Sequence, residues 1–239
     1  MQKKIIFLIL TMVIPSIISS EVTRRIIRNG NRSKIIFYNG GTEIAKCVFD
    51  EEGNVEIIGN IPDGIIRQYY DSGNIFMETN YKNNRQDGII KLYYENGKLM
   101  GEGYIKENKS EGISKTYNED GLVMEESNYK NGKLDGISRE YYESGKLKSE
   151  SKYKNGKLNG TSKKYYENGN LSIENEYNNN VLNGTCKTYY ENGELCEKMK
   201  YSKGKLDGTS KTYYENGKIM YKEKYKRDSK IDTIKYDKK

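Results

Sequence analysis

The chain has 239 residues, of which 34% are hydrophobic, with no Trp, two Pro, 24 Gly and 23 Tyr. Leu, Ile, Val and Phe are too few for one large central core, yet the aromatics recur at fixed positions, which excludes simple disorder. The formal net charge of +7 is mild and interspersed, and the absence of His removes the commonest general base and metal ligand.

Residues 1–20 read as a secretory signal. Lys3 and Lys4 precede an apolar run from Ile5 to Ile14, Pro15 breaks it, and Ser19-Ser20 offers small residues for cleavage before Glu21. The alternative is an uncleaved membrane anchor, although the run is short for a transmembrane helix. No Cys lies near the end of the leader, so lipoprotein processing is not expected. Cleavage removes two Lys and no acid, so the mature chain carries +5. The expected location is exported: periplasm, cell surface or medium.

Residues 21–62 are expected to be degenerate repeats that cap an array. Ile35-Ile36-Phe37-Tyr38 before Asn39-Gly40 resembles a strand ending in a turn, as does Phe49–Val55. A cap must present an outer edge without inviting further strand pairing.

From Asp63 the period locks at 24 residues. Its signature is Asp63-Gly64, Asp87-Gly88, Glu111-Gly112, Asp135-Gly136, Asn159-Gly160, Asn183-Gly184 and Asp207-Gly208. A second Gly follows each one nine residues later, from Gly73 to Gly217, preceded by a tyrosine pair such as Tyr141-Tyr142 in all but the third repeat, which keeps only Tyr117. A third Tyr closes the unit at Tyr81, Tyr129, Tyr153, Tyr177, Tyr201 and Tyr225, with Tyr104 one place early. Seven units span 63–230, and residues 231–239 form half a unit and a charged tail.

Runs such as Ile137–Tyr142 and Leu147–Tyr153 are short, rich in aromatic and β-branched residues, and bounded by Gly-containing turns. Two turns in every 24 residues leave no room for a stable helix. The expected fold is all-β: an elongated, solenoid-like single sheet, an antiparallel meander of β-hairpins. Asn168-Gly169 and Asn192-Gly193 suit the tight hairpin turns. The stretch Lys154–Gly160 reads as a longer connector, and the Asp of each Asp-Gly as a turn residue. Tyr142-type and Tyr153-type residues, with the Leu rows, are expected to pack repeat on repeat.

Cys47, Cys186 and Cys196 are odd in number. Cys186 and Cys196 fall on two strands of one hairpin, either diagonal or on opposite faces, which disfavours a bridge. Neither their spacing nor any Gly motif points to a metal, a phosphate or a cofactor. Residues 21–62 are too few for a separate catalytic domain. No enzyme, cofactor or metal is expected.

The pattern Gly-x4-Tyr-Tyr-Glu-Asn-Gly-Lys-Leu followed by Tyr-Lys-Asn-Gly-Lys-Leu-Asp-Gly resembles the MORN (membrane occupation and recognition nexus) repeat in its bacterial variant form, over residues 63–230. The unit departs from the classical repeat, which has a Trp beside its Gly. The resemblance implies elongated sheets of hairpins that serve as scaffolds, protein-binding surfaces or membrane-associated modules. Similar bacterial chains carry the label of antitoxin.

Binding is therefore the expected class, through an extended Tyr/Lys-rich face. The first Tyr of each pair points away from the packing row, so the candidate contact residues are Tyr69, Tyr93, Arg139, Tyr141, Tyr165, Tyr189 and Tyr213. Lys148 and Glu150 and their equivalents join that face. The partner expected is an unidentified protein. Envelope polysaccharide, an anionic membrane surface and an antitoxin-like role against a toxin are the alternatives, and no specific nucleic acid is expected.

Overall fold

The structure is a computed structural model that describes residues 21–29, 32–49 and 55–236. The leader reading lies outside the described residues, as does the turn between Phe49 and Val55. The chain divides into two compact units, one up to Ser110 and one from Glu111.

The first unit opens with a four-stranded antiparallel meander: β1 (Val22–Asn29), β2 (Arg32–Asn39), β3 (Thr42–Phe49) and β4 (Val55–Gly59). β5 (Gly64–Tyr69), β6 (Ile75–Lys82), β7 (Arg85–Tyr93) and β8 (Leu99–Lys106) follow as a second meander. The two join at β1 and β5, parallel, with Thr23 opposite Arg67. This order puts β4 four strand spacings from β5, about 19 Å on a flat sheet. The four linking residues, 60–63, give five Cα steps from Gly59 to Gly64 that reach about 17 Å, so the sheet must curl. The core sits where it does. Phe37, Ala45, Cys47, Ile66 and Tyr81 are buried around Ile61, which the link between β4 and β5 carries across the sheet face. Phe37 and Tyr81 meet edge to face, with ring centroids 5.4 Å apart.

The second unit is an antiparallel meander without crossovers: β9 (Lys109–Tyr117), β10 (Val123–Lys130), β11 (Lys133–Tyr141), β12 (Leu147–Lys154), β13 (Lys157–Tyr165), β14 (Leu171–Asn178), β15 (Val181–Tyr189), β16 (Leu195–Ser202), β17 (Lys205–Leu206), β18 (Gly208–Tyr213), β19 (Ile219–Lys226) and β20 (Ser229–Lys235). The chain is all-β, built of hairpins on a 24-residue period.

The turn assignment is reversed from the sequence expectation. The two-residue turn is Asn155-Gly156, where Lys154 pairs with Lys157 and both central residues have positive φ (50° and 78°). That is the Asn-Gly hairpin geometry whose twist matches that of the strands. The supposed connector Lys154–Gly160 is therefore mostly turn and strand. The other loop, Tyr142–Lys146, is wider. Gly145 N–H donates to the Tyr142 carbonyl at 2.8 Å, and Tyr142 N–H donates to the Lys146 carbonyl at 2.8 Å.

Asp135 is not a turn residue. Asp135-Gly136 lies inside β11 as a bulge: Ser127 pairs with Ser138, but Tyr129 pairs with Leu134. Gly136 sits at φ 123°, and a Cβ there would lie 2.9 Å from the Cβ of Asn128. The Asp135 carboxylate instead accepts the Asn155 N–H at 3.0 Å, clipping the strand to the turn of its own repeat. Asp63 accepts from Asn83 (2.8 Å), Glu111 from Asn131 (2.8 Å) and Asn183 from Lys203 (3.1 Å) in the same way.

Candidate binding face

The second Tyr of four of the pairs is a clamp between repeats. Its hydroxyl donates to the main-chain carbonyl of the first Tyr of the next pair: Tyr70 to Tyr93 (2.7 Å), Tyr142 to Tyr165 (2.6 Å), Tyr166 to Tyr189 (2.7 Å) and Tyr190 to Tyr213 (2.8 Å). Asn side chains add to this edge, Asn168 and Asn170 both donating to the Glu191 carbonyl. The ring that packs and the hydroxyl that reaches forward are both needed, which explains Tyr rather than Phe here. The third Tyr lies across from a Gly of the neighbouring strand, as Tyr153 does from Gly136 and Tyr177 from Gly160. It shares its face with a row of small residues in which Ser127 pairs with Ser138 (2.7 Å) and Ser151 with Ser162 (2.8 Å) through their hydroxyls.

The opposite face carries a cross-strand row of charge. In the second unit, register places Lys115, Glu126, Arg139, Glu150, Lys163, Glu174 and Lys187 side by side on successive strands. Signs alternate, and most neighbours pair. Glu126 meets Lys115 at 3.2 Å and Arg139 at 3.3 Å, Arg139 meets Glu150 at 2.8 Å, and Glu174 meets Lys163 at 3.7 Å and Lys187 at 2.7 Å. The first unit builds its own row: Glu21, Arg67, Glu78, Lys91 and Glu102. There Arg67 bridges Glu21 at 2.6 Å and Glu78 at 2.7 Å.

The candidate tyrosines flank this ladder. Tyr69 donates to Glu21 at 2.7 Å and Tyr93 to Glu78 at 2.9 Å. Hydrogen bonds to Glu150 and Glu174 raise the pKa of Arg139 and Lys187, and the nearby Tyr141 and Tyr189 add smaller contributions. Strand alternation carries the same placement to Tyr165 and Tyr213. Lys148 departs from the expected face. It is the extra residue of a bulge, since Glu140 pairs with Ser149 but Tyr141 with Leu147, and its ammonium sits 5.9 Å from the Tyr142 ring centroid.

Electrostatics follow the pairing. The Arg67 guanidinium holds Glu78 below its ordinary 4.5, and Lys187 does the same for Glu174. Burial works against Glu21, but hydrogen bonds from Arg67 and Tyr69 outweigh it and lower its pKa. Burial first, and the Glu21 carboxylate second, push Tyr69 up to about 12. Burial also raises the Cys47 and Cys186 thiols, so neither has the depressed pKa of a reactive cysteine. The three cysteines are free. Cys186 stands across from Met199. Among the described residues no three acidic or thiol groups gather as a metal site.

The sequence reading picked out the tyrosines and Arg139 but passed over the ladder. Its signal was present: Arg67, Lys91, Lys115, Arg139, Lys163, Lys187 and Lys211 recur every 24 residues, and so do Glu78, Glu102, Glu126, Glu150 and Glu174. A hairpin array with clipped turns, clamped edges and one charge-patterned face is the build of a repeat scaffold. The profile of the MORN repeat variant family matches seven consecutive segments, residues 62–83, 86–107, 110–131, 134–155, 158–179, 182–203 and 206–227. The chain belongs to that family, whose repeats are generally non-catalytic modules that bind proteins or membranes. A comparison with curated proteins finds no match.

Proposed function

We propose that this protein is an exported, non-catalytic scaffold that binds another protein across the ladder face. The observation that carries the reading is the coexistence, on one face, of a charge row and a tyrosine row repeated every 24 residues. The rings supply amphipathic contact area at low conformational cost, and the charges set register and reject wrong partners. The opposite face is committed to Ser–Ser contacts and packed Tyr, and both edges are spent on clips and clamps. Export enters through the leader. Cleavage before Glu21 leaves as first residue one whose carboxylate is already tied to Arg67 and Tyr69.

The test uses the full-length chain in its cells. Fractionation with N-terminal sequencing is expected to find mature protein outside the cytoplasm, beginning at Glu21. Cross-linking from Tyr165, replaced by a photoreactive phenylalanine, is expected to trap one defined protein. The same label at Tyr153, on the opposite face, is expected to trap none. Equal trapping from both positions, or protein confined to the cytoplasm with its leader intact, refutes the reading.

A further inference from the structure

The ladder changes character at one strand. Up to Lys187 a carboxylate answers nearly every cation. Then Lys187 stands opposite Lys198, Lys198 opposite Lys211, and Lys211 opposite Lys222. The next position in the row is Ile234. The 24-residue series that reads Glu at 78, 102, 126, 150 and 174 reads Lys at 198 and 222. Only Lys187 has a ladder carboxylate, Glu174. Like charges directly opposite one another on a sheet are destabilising, so this row costs stability that a continued alternation would not.

The adjacent row changes with it. The residue after each signature Gly is Ile65, Ile89, Ile113 and Ile137 in the early repeats, each at least 36% exposed, and Thr161, Thr185 and Thr209 in the later ones. Thr185 pairs with Lys200 and Thr209 with Lys224. From Thr185 to Lys224 this row is lined by hydroxyls and further ammoniums, with one carboxylate at each end: Glu176, which accepts from the Thr185 N–H, and Asp232, opposite Lys224. That row holds no large aliphatic side chain, and the exposed aliphatics at this end, Ile231 and Ile234, sit on the last strand beyond the lysines.

Resting on the protein-binding reading above, we infer that this end of the face recognises an acidic α-helix of the partner, laid across the strands. Four lysines at about 4.8 Å spacing span about 14 Å in a straight line. Carboxylates at positions i, i+3, i+7 and i+10 of a helix span about 15 Å along one stripe, at 1.5 Å per residue. A line of evenly spaced cations matches that stripe, whereas a phosphate headgroup asks for a convergent cup. The strip between the Thr/Lys row and the Tyr189–Tyr213 row is four residues wide, about 13 Å, room for a helix 10–12 Å across.

The experiment titrates the full chain, without its leader, against a labelled 21-residue helical peptide with Glu at i, i+3, i+7 and i+10. A same-composition scramble and phosphatidylglycerol vesicles run in parallel, over a salt series. The expected result is binding of the patterned helix at least tenfold tighter than the scramble, weakening with salt, and lost at least tenfold in Lys198→Glu and Lys222→Glu. Lys164→Glu, on the other face, is expected to leave it unchanged. Equal affinity for the scramble, vesicle binding that outcompetes the helix, or full affinity in Lys198→Glu overturns the inference. A protein cross-linked from Tyr165 whose trapping is indifferent to Lys198→Glu refutes the acidic helix alone and leaves the scaffold reading standing.

Discussion

Replacing Tyr166 by Phe isolates the inter-repeat clamp. The ring and its packing stay, and only the hydroxyl that donates to the Tyr189 carbonyl at 2.7 Å is lost. A neutral hydrogen bond of this kind contributes about 1 kcal/mol net, with more lost if the half-buried carbonyl finds no water. The equivalent hydroxyls of Tyr142 and Tyr190 sit about two strand spacings, or about 10 Å, away on either side. At that distance costs add, so the triple Phe variant is expected to lose about 3 kcal/mol. In a repeat array such losses fall on nearest-neighbour coupling. Urea unfolding should therefore show a lower midpoint and, in the triple variant, a broader transition as repeats uncouple. Tyr165→Phe, which removes a ladder-face hydroxyl and keeps the clamp, is the control and is expected within about 0.5 kcal/mol of the parent. If Tyr166→Phe costs no more than Tyr165→Phe, the clamp does not couple the repeats.

Gly136→Ala forces a side chain onto a backbone at φ 123° and 2.9 Å from the Asn128 Cβ; thermal or urea unfolding is expected to show a loss of about 1–3 kcal/mol, whereas Gly121→Ala, with open space around it, keeps only the strain of its φ of 81°. Arg139→Met leaves Glu126 and Glu150 without their shared cation. With that guanidinium about a third exposed, the cost is expected near 0.5–1 kcal/mol and to shrink in high salt. Glu78 and Glu174 have folded-state pKa values below the ordinary 4.5. Their stabilisation is fully present above pH 4.5 and is lost as pH falls through the lowered folded values. A series of unfolding midpoints is thus expected to be flat with respect to these groups above pH 5 and to fall below 4.5. A midpoint that rises on acidification contradicts the ladder pairing.

Strands, period and antiparallel hairpins were legible because short β-prone runs alternate with Gly at two fixed phases. The turns were not. Asn-Gly occurs at both Asn155-Gly156 and Asn168-Gly169, and local propensity cannot choose between them. What chooses is the Asp135 carboxylate, which holds the Asn155 turn from within a bulged strand. The parallel contact of Thr23 with Arg67 was hidden for a related reason, since it depends on a core that Ile61 closes from a distance in sequence. The ladder was half legible. Both charge series stand in the sequence, but opposition requires the pairing register, and the bulge at Asp135-Gly136 shifts it by two residues. Arg139 therefore meets Glu126 on one side and Glu150 on the other.

The central claim is that one face of this scaffold is a cross-strand charge row whose alternation is given up at Lys198 for binding rather than for stability. Lys198→Glu restores the alternation, placing a carboxylate between Lys187 and Lys211. The urea midpoint of the chain from Glu21 onward measures the effect directly. The account predicts that this charge reversal stabilises the protein, by about 0.5–1 kcal/mol at low salt and less at 1 M salt. Destabilisation, or a gain that salt leaves untouched, would contradict the row.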